Sequence, residues 1–280
     1  MAARAVGAGV AATSEKRRLV ARNLERVLGR EMSRIEQQRR VSSTFEWYAR
    51  YYVESFRLPE LSVEEIDRGF AYEGFGEIEA ACHRGQGPIL ALPHLGTWEW
   101  AAFWLALVPE LKVTAVVEPL EPPELFEWFV SFRESLGMSI VSLGPDAAKA
   151  SVEALQEGRV LCLVADRDLQ GTGVPVEFFG ERTTLPAGPA ALALRTGSPL
   201  IPTAVYWGDG TRYANARPPL DTTRHGRMRD DVARVTQDLA HEFELLIAAA
   251  PEQWHMLQPN WPSDYRVLGL DVPEHLRDLG

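Results

Sequence analysis

The residues best suited to chemistry in this 280-residue sequence are a histidine and a carboxylate five positions apart, His94 and Glu99. They follow an apolar run at residues 88–93, and Gly96 lies between them. On an uninterrupted helix, positions i and i+5 point to different faces, so a strand, a turn and a new helix are needed to fold Glu99 back towards His94. An imidazole oriented by a carboxylate can take the proton of an alcohol near neutral pH. The spacing therefore predicts a general base, but on its own it leaves equal room for a structural histidine.

A second group of polar residues follows another apolar run, residues 159–165, which ends in Asp166, Arg167 and Asp168. Asp166 is an alternative partner for His94. Arg133 lies in a predicted helix, and both it and Arg167 are candidates for phosphate or oxyanion contacts, because a guanidinium offers forked donors. The alternative for both arginines is an ordinary surface or salt-bridged side chain. Gly96 either lets a substrate approach the backbone or only permits the turn.

The elements that must position these residues alternate along the chain from residue 88. Apolar runs predict strands near 88–93, 112–117, 139–143, 159–165 and 199–207. Helical patterns lie near 97–107, 123–136, 145–157, 186–196 and 227–249. This alternation predicts an α/β fold with a single central β-sheet flanked by α-helices, after an N-terminal amphipathic helical region. His94 and Asp166 would both lie at the carboxyl ends of strands, where such folds place their active sites.

The charge is unevenly distributed. The net charge is −10, but residues 16–40 hold nine Lys and Arg against three Glu, a charge of +6 that leaves −16 for the rest. Arginine recurs at every fourth position from Arg18 to Arg34, which on a helix forms a slowly winding ridge. Such a ridge predicts docking on an anionic membrane surface, with a solvated helix face as the alternative. The acidic remainder makes nucleic acid a poor partner.

Several classes are disfavoured by composition and motifs. Cys82 and Cys162 have no metal-type spacing, so packed, reduced thiols are expected and no metal is predicted. No Gly-x-Ser-x-Gly elbow indicates a serine hydrolase. No run approaches about 18 apolar residues, so we expect a cytoplasmic protein held peripherally at the membrane. The chain divides into a flexible N-terminus (1–14), one catalytic domain (15–265, with membrane-associating helices at 15–58) and a C-terminal tail (266–280).

The ordered blocks around these residues resemble the glycerolipid and lipid A acyltransferase superfamily. The blocks are the His-x4-Glu motif, the Arg133 segment, residues 166–169 and the Pro-x-x-Pro strand at 199–202. Within the lipid A branch, residues 178–180, 185–189 and especially 251–259 are similar to the phosphatidylinositol mannoside acyltransferases. The resemblance covers roughly residues 15–265.

This resemblance implies transfer of a long acyl chain, typically palmitoyl, from acyl-CoA to the 6-hydroxyl of a mannose in mannosylated phosphatidylinositol. It implies the cytoplasmic face of the cell membrane as the place of reaction. His94 would be the base, with Asp166 or Glu99 as its partner, and no cofactor is needed beyond acyl-CoA as co-substrate. Arg133, Arg167, Gly96, Trp98 and Asp168 would contact substrate. Two or three of the aromatic residues between 98 and 129 would line an acyl groove.

One departure from the family pattern keeps the partner of His94 open. The family usually has Asp in the His motif and Glu after the later strand, whereas this chain has Glu99 and Asp166. The alternatives in function are a lipid A-type acyltransferase that uses acyl carrier protein and a non-catalytic lipid-binding protein on the same fold. A metal-dependent phosphoesterase using His94, Glu99, Asp166 and Asp168 is a more distant one.

Overall fold

A computed structural model of the chain describes residues 14–118, 123–135, 137–208 and 210–279. It begins with two antiparallel helices, α1 (Ser14–Leu28) and α2 (Arg34–Arg57). α2 starts where Ser33 accepts a hydrogen bond from the backbone N–H of Glu36, which satisfies one of the free donors of the first turn. Of the flexible N-terminus expected at 1–14, residues 1–13 lie outside the described residues.

The remaining helices and strands follow in an order close to the predicted alternation, which confirms the α/β class. The helices are α3 (Val63–Arg68), α4 (Phe75–His83), α5 (Trp98–Leu107), α6 (Pro123–Ser135), α7 (Ala147–Gln156), α8 (Gly188–Thr196), α9 (Met228–Ala248) and α10 (Pro262–Leu268). The strands are β1 (Phe70–Glu73), β2 (Ile89–Leu92), β3 (Val113–Val117), β4 (Ser139–Ser142), β5 (Val160–Val164), β6 (Val174–Phe178), β7 (Glu181–Leu185), β8 (Leu200–Trp207) and β9 (Arg212–Ala216).

The central sheet has seven strands in the order β1-β9-β8-β2-β5-β3-β4. Every neighbouring pair is parallel except β8 and β9, which are antiparallel. β6 and β7 form a separate antiparallel hairpin. Because β2 lies between β5 and β8, the segments that follow β2 and β5 emerge side by side at one edge of the sheet.

Alternate side chains of the central strands enter two different hydrophobic cores. Ile89, Ala91 and Leu161 pack with α8 and α9 on one face, whereas Leu90 and Leu92 pack with α5 on the other. This is the period of two that a strand imposes, and both faces are covered, as is usual for parallel sheets. The near-continuous apolar runs in the sequence reflect this double burial.

Two members of the arginine ridge, Arg22 and Arg26 on α1, do not face outward as the charge pattern predicted, whereas Arg18 and Arg30 are exposed. The Arg26 guanidinium lies between Asp264 and Glu181, at 2.6 and 3.0 Å, with 9% of its side chain exposed. Arg22 also binds Asp264, whose side chain is fully buried. The prediction that both arginines face a membrane is therefore wrong. A buried Asp264 needs cationic partners, so these arginines hold α1 against α10.

The opposite side of α1 is apolar and is covered by α2 and a later segment. Leu24, Val41, Phe45 and Leu257 share one buried cluster. The last residues are also packed, since Leu276 in a 3₁₀ turn at Glu274–Leu279 is 2% exposed. Among the described helices, none combines the length and apolar character that crossing a bilayer requires.

Candidate active site

His94 and Asp166 form the centre of the candidate site. The parallel register pairs Leu92 with Val164, so the residues two positions beyond each strand end come together. The ring Nδ1 of His94 lies 2.5 Å from Asp166 Oδ1, and the His94 backbone N–H donates to Oδ2 at 3.0 Å. The Asp166 side chain is fully buried, whereas 28% of the His94 side chain is exposed. Asp166 thus holds the inner ring nitrogen, and the outer one, Nε2, has no hydrogen-bond partner among the described residues.

The electrostatics of Asp166 favour its anionic form. Burial opposes ionisation, but the charge of His94 and hydrogen bonds from His94 and Trp254 outweigh burial, so the pKa of Asp166 lies below its ordinary value. The third donor to the carboxylate is the indole Nε1–H of Trp254, 2.8 Å from Oδ2. A buried carboxylate with three donors is a fixed anion that orients the imidazole and stabilises its protonated form.

Glu99, the other candidate partner of His94, points elsewhere. It is the second residue of α5 and forms a buried ion pair with Arg133, and it accepts a hydrogen bond from Tyr51 Oη at 3.2 Å. Burial opposes the charge of Arg133, but Glu99 more than compensates, and the pKa of Arg133 is raised. Of the two carboxylates that the sequence left open, Asp166 is the one hydrogen-bonded to the His94 ring.

Gly96 allows the turn between β2 and α5 to pass close to β8. Its φ is +62°, and a Cβ at this position would lie 1.8 Å from the carbonyl oxygen of Val205. Its N–H donates to Gln253 O at 2.9 Å, and the next N–H, of Thr97, donates to Val205 O at 3.1 Å. Both the left-handed conformation and the close backbone contact require glycine. Packing of the protein itself therefore accounts for Gly96.

Two further predicted substrate contacts, Arg167 and Asp168, lie around the same end of the sheet but differ in how many of their polar atoms already have hydrogen-bond partners. Arg167 donates from Nη2 to Glu118 at 2.8 Å, and its buried Nε has no partner among the described residues. Asp168 accepts backbone N–H groups of a loop, including those of Gly171 and Gly173, and the Thr184 hydroxyl. Asp168 is thus occupied by its own loop. The four residues of the phosphoesterase alternative do not converge on one point.

Trp98, the first residue of α5, lies between the candidate base and an apolar pocket. Its ring meets the His94 ring edge-on, with centroids 5.9 Å apart, and stacks on Tyr51 at 4.3 Å. The pocket lies between α5 and the sheet, with a cavity volume of about 70 Å³. Its wall is almost entirely apolar and includes Trp98, Trp104, Leu90, Leu92, Val164 and Cys162, with the Glu99–Arg133 pair among its few charged residues. Two of the expected aromatic residues, Trp98 and Trp104, therefore border this pocket.

Residues 253–255 support both halves of the His94–Asp166 pair, a role that the sequence analysis missed. Besides the Trp254 hydrogen bond, Gln253 O accepts the N–H of Gly96, and the N–H of His255 donates to His94 O at 2.7 Å. This short segment extends alongside residues 94–96 in the manner of an added strand. The resemblance had marked residues 251–259, but nothing in the sequence indicates that they return to His94.

Comparison with known proteins defines the class. A family model for bacterial lipid A biosynthesis acyltransferases matches residues 2–263, so the chain belongs to this acyltransferase family. The phosphatidylinositol mannoside acyltransferase of Mycobacterium tuberculosis is 41% identical over 249 residues, which cover 87% of this chain and 76% of that protein. The enzyme of the same name from Mycolicibacterium smegmatis is 38% identical over 262 residues, covering 92% of this chain and 84% of the relative. The acyltransferase class expected from the family resemblance is confirmed.

Proposed function

We propose that this acyltransferase moves a long acyl chain, palmitoyl or similar, from acyl-CoA to the 6-hydroxyl of a mannose in phosphatidylinositol mannosides. The names of its relatives support the acceptor. The observation that carries the chemistry is the contact between His94 and the buried Asp166 beside an apolar pocket. No cofactor is required, because a thioester is already an activated acyl donor.

In the proposed mechanism His94 is the general base. Its free Nε2 removes the proton of the sugar hydroxyl while the hydroxyl oxygen attacks the thioester carbonyl carbon. Asp166 stabilises the imidazolium that forms and fixes the tautomer in which Nδ1 carries the proton. The C–S bond of the tetrahedral intermediate then breaks, and the leaving CoA thiolate can take the proton from Nε2. This returns the imidazole to its starting state.

The apolar pocket under α5 is the proposed site of the acyl chain. Its cavity of about 70 Å³ is smaller than the roughly 150 Å³ cavity that admits benzene in an engineered protein core. A long chain therefore requires α5 to move away from the sheet, and each buried methylene then contributes about 0.8 kcal/mol. Arg133, held by Glu99 at the wall, is proposed to face the thioester end of the chain.

Arg167 is the better candidate for a phosphate contact. Its Nε is buried without a partner, and its present partner Glu118 is half-exposed, so a phosphate could replace that carboxylate. Both proposed substrates carry phosphate, and Arg167→Gln is expected to raise KM for the one whose phosphate it contacts while leaving kcat nearly unchanged. An unchanged KM for both substrates would remove Arg167 from the site.

Peripheral membrane association at the cytoplasmic face also remains part of the proposal, although not through Arg22 and Arg26. The start of α2 instead offers Arg34, which has no ion-pair partner in the described part of the chain, next to Ile35, which is 83% exposed. Replacing both, as Arg34→Gln with Ile35→Ser, should reduce sedimentation with phosphatidylinositol vesicles. Arg229→Gln, the same charge change on an exposed arginine of α9, should not. Equal sedimentation of both variants would contradict the assignment.

The experiment that tests the function uses purified protein with radiolabelled palmitoyl-CoA or palmitoyl-acyl carrier protein. Each donor is offered a mannosylated phosphatidylinositol or a lipid A precursor. We expect product from palmitoyl-CoA and the mannolipid, and His94→Ala should reduce kcat by about 100-fold or more. Preference for the acyl carrier protein and the lipid A precursor would favour the lipid A-type alternative. Tight lipid binding without turnover would favour the lipid-binding one.

A further inference from the structure

His255 is a buried histidine whose ring makes no hydrogen bond. The residue is 6% exposed, and neither Nδ1 nor Nε2 has a partner among the described residues. It is not remote from the reaction, because its backbone N–H donates to the carbonyl oxygen of His94 at 2.7 Å. Buried polar side chains are almost always hydrogen-bonded, so an exception beside the candidate base requires an explanation.

The surroundings of the ring are aromatic. Its centroid lies 5.4 Å from that of Tyr48, 5.6 Å from Tyr51, 6.2 Å from Trp207 and 6.4 Å from Trp98. A phenylalanine would fit such an enclosure without leaving polar atoms unsatisfied. The imidazole therefore weakens the fold relative to an apolar ring, since its N–H has given up water and gained no partner. A group that costs stability here is explained if a ligand supplies the missing partner.

The ring can both donate and accept a hydrogen bond. Burial, and the nearby positive charge of His94, lower the pKa of His255 to about 3, so it stays neutral at any working pH. A neutral imidazole has one N–H and one free lone pair, which suits a hydroxyl group better than a carboxylate or phosphate. The negative faces of the surrounding rings also suit the polarised C–H bonds of a sugar.

The position of His255 separates it from the proposed acyl site. The apolar pocket under α5 is lined by Trp98 and Glu99 but not by His255. Trp98 thus stands between the pocket and the aromatic enclosure and touches the His94 ring as well. Two walls of the enclosure, Trp98 and Tyr48, are only half-buried, so a ligand can reach the ring when one of these side chains turns away.

We infer that His255 is a binding residue for a hydroxyl of the acceptor sugar, next to the hydroxyl that His94 deprotonates. This inference rests on the proposed function only in taking a sugar lipid as the acceptor. The sugar would replace Trp98 or Tyr48 against the imidazole and supply the hydrogen bond that the ring lacks. His255 then contributes to binding and orienting the acceptor, not to proton transfer.

The test compares wild-type protein with His255→Phe on the sugar acceptor that the wild type uses. The variant should lose about tenfold in kcat/KM for the acceptor, the effect of one hydrogen bond, with KM for palmitoyl-CoA unchanged. Its melting temperature should be equal to or above that of the wild type. His255→Gln, which keeps an N–H donor, should recover part of the lost acceptor affinity.

The matched control is Tyr206→Phe, which also removes one buried polar group. The Tyr206 hydroxyl is satisfied, since it donates to Leu246 O at 2.8 Å, so this variant should melt lower with unchanged kinetics. A wild-type kcat/KM for the acceptor in His255→Phe would overturn the inference, and a lower melting temperature beside it would assign His255 a purely structural role. Use of the lipid A precursor in place of the mannolipid would instead overturn the proposed function. Wild-type protein and His255→Phe could then still be compared with the lipid A precursor as the sugar acceptor.

Discussion

Exchanging each candidate carboxylate for its amide should separate catalysis from stability. Asp166 Oδ2 accepts two N–H groups, those of the His94 backbone and the Trp254 indole, and Oδ1 faces the ring Nδ1. In Asp166→Asn the amide nitrogen would lose two hydrogen bonds if it took the Oδ2 position. It should therefore take the Oδ1 position and donate to Nδ1. That contact places the ring proton on Nε2, the atom that must accept the hydroxyl proton.

The magnitude follows from this reversed tautomer. A disabled general base lowers kcat by about 10²- to 10⁴-fold, equivalent to roughly 2.7 to 5.5 kcal/mol of transition-state stabilisation. Glu99→Gln should behave in the opposite way, because it leaves the buried Arg133 charge without its anion. Breaking a buried ion pair costs up to about 3 to 5 kcal/mol of folding free energy. At about 2 to 4 °C per kcal/mol for a chain of this size, the melting temperature should fall by roughly 6 to 20 °C.

The assay measures kcat at saturating acyl-CoA with detergent-dispersed acceptor, at a temperature where both variants are folded, beside thermal unfolding of each. We expect Asp166→Asn to be nearly inactive with a near-normal melting temperature, and Glu99→Gln to be active within several-fold but less stable. A larger loss of kcat in Glu99→Gln than in Asp166→Asn would refute the reasoning. It would mean that the Glu99–Arg133 pair contributes more to transition-state stabilisation than the Asp166 carboxylate does.

Three further changes test the electrostatics by direct measurement. Arg26→Gln should lower the free energy of unfolding by about 3 kcal/mol in denaturant titrations and leave vesicle binding unchanged. Weaker vesicle binding with an unchanged free energy of unfolding would indicate a membrane role instead. Trp254→Phe should reduce kcat because Asp166 loses a donor, whereas Trp261→Phe, whose indole N–H reaches only a backbone carbonyl, should preserve it. As pH falls from about 6.5 towards 3, the His255 side chain takes up a proton in the unfolded state but not in the folded one. The free energy of unfolding of the wild type should therefore fall by up to about 1.4 kcal/mol per pH unit more than that of His255→Phe. If the free energies of unfolding of the two proteins had the same pH dependence, this prediction would be contradicted.

The sequence was sufficient to predict the strands that carry the candidate pair, His94 and Asp166, but not to choose between Asp166 and Glu99 as the partner of His94. Apolar runs and helical spacing place His94 and Asp166 after strands, and chemistry then suggests that they meet. Whether they do depends on the strand order, in which β5 adjoins β2 although the segment between them contains two other strands. Glu99 remained an alternative because the direction in which α5 leaves the Gly96 turn is set by contacts with β8 and residues 253–255.

Other predictions from the sequence were wrong because the same residue pattern occurs in two different structural environments. An arginine every fourth residue predicts a helix face, but it does not say whether that face meets a membrane or a buried carboxylate. The partner of Arg26 is Asp264, far along the chain in α10, and no local signal connects them. The edge strand β1, its neighbour β9 and the β6–β7 hairpin were missed because short strands with partly exposed side chains resemble polar loops.

Helix α2 packs directly against the residues around the candidate site. Glu54 in α2 accepts hydrogen bonds from Thr97 Oγ1 at 3.2 Å and Trp207 Nε1 at 2.7 Å, and it pairs with Arg212. Thr97 belongs to the turn that carries His94, and Tyr51 of the same helix contacts both Glu99 and Trp98. A helix expected only to attach the enzyme to a membrane therefore also forms one wall of the site. Glu54 and Tyr51 thus connect α2 to the turn that follows His94 and to the start of α5, so a displacement of α2 would disturb the geometry of the candidate site.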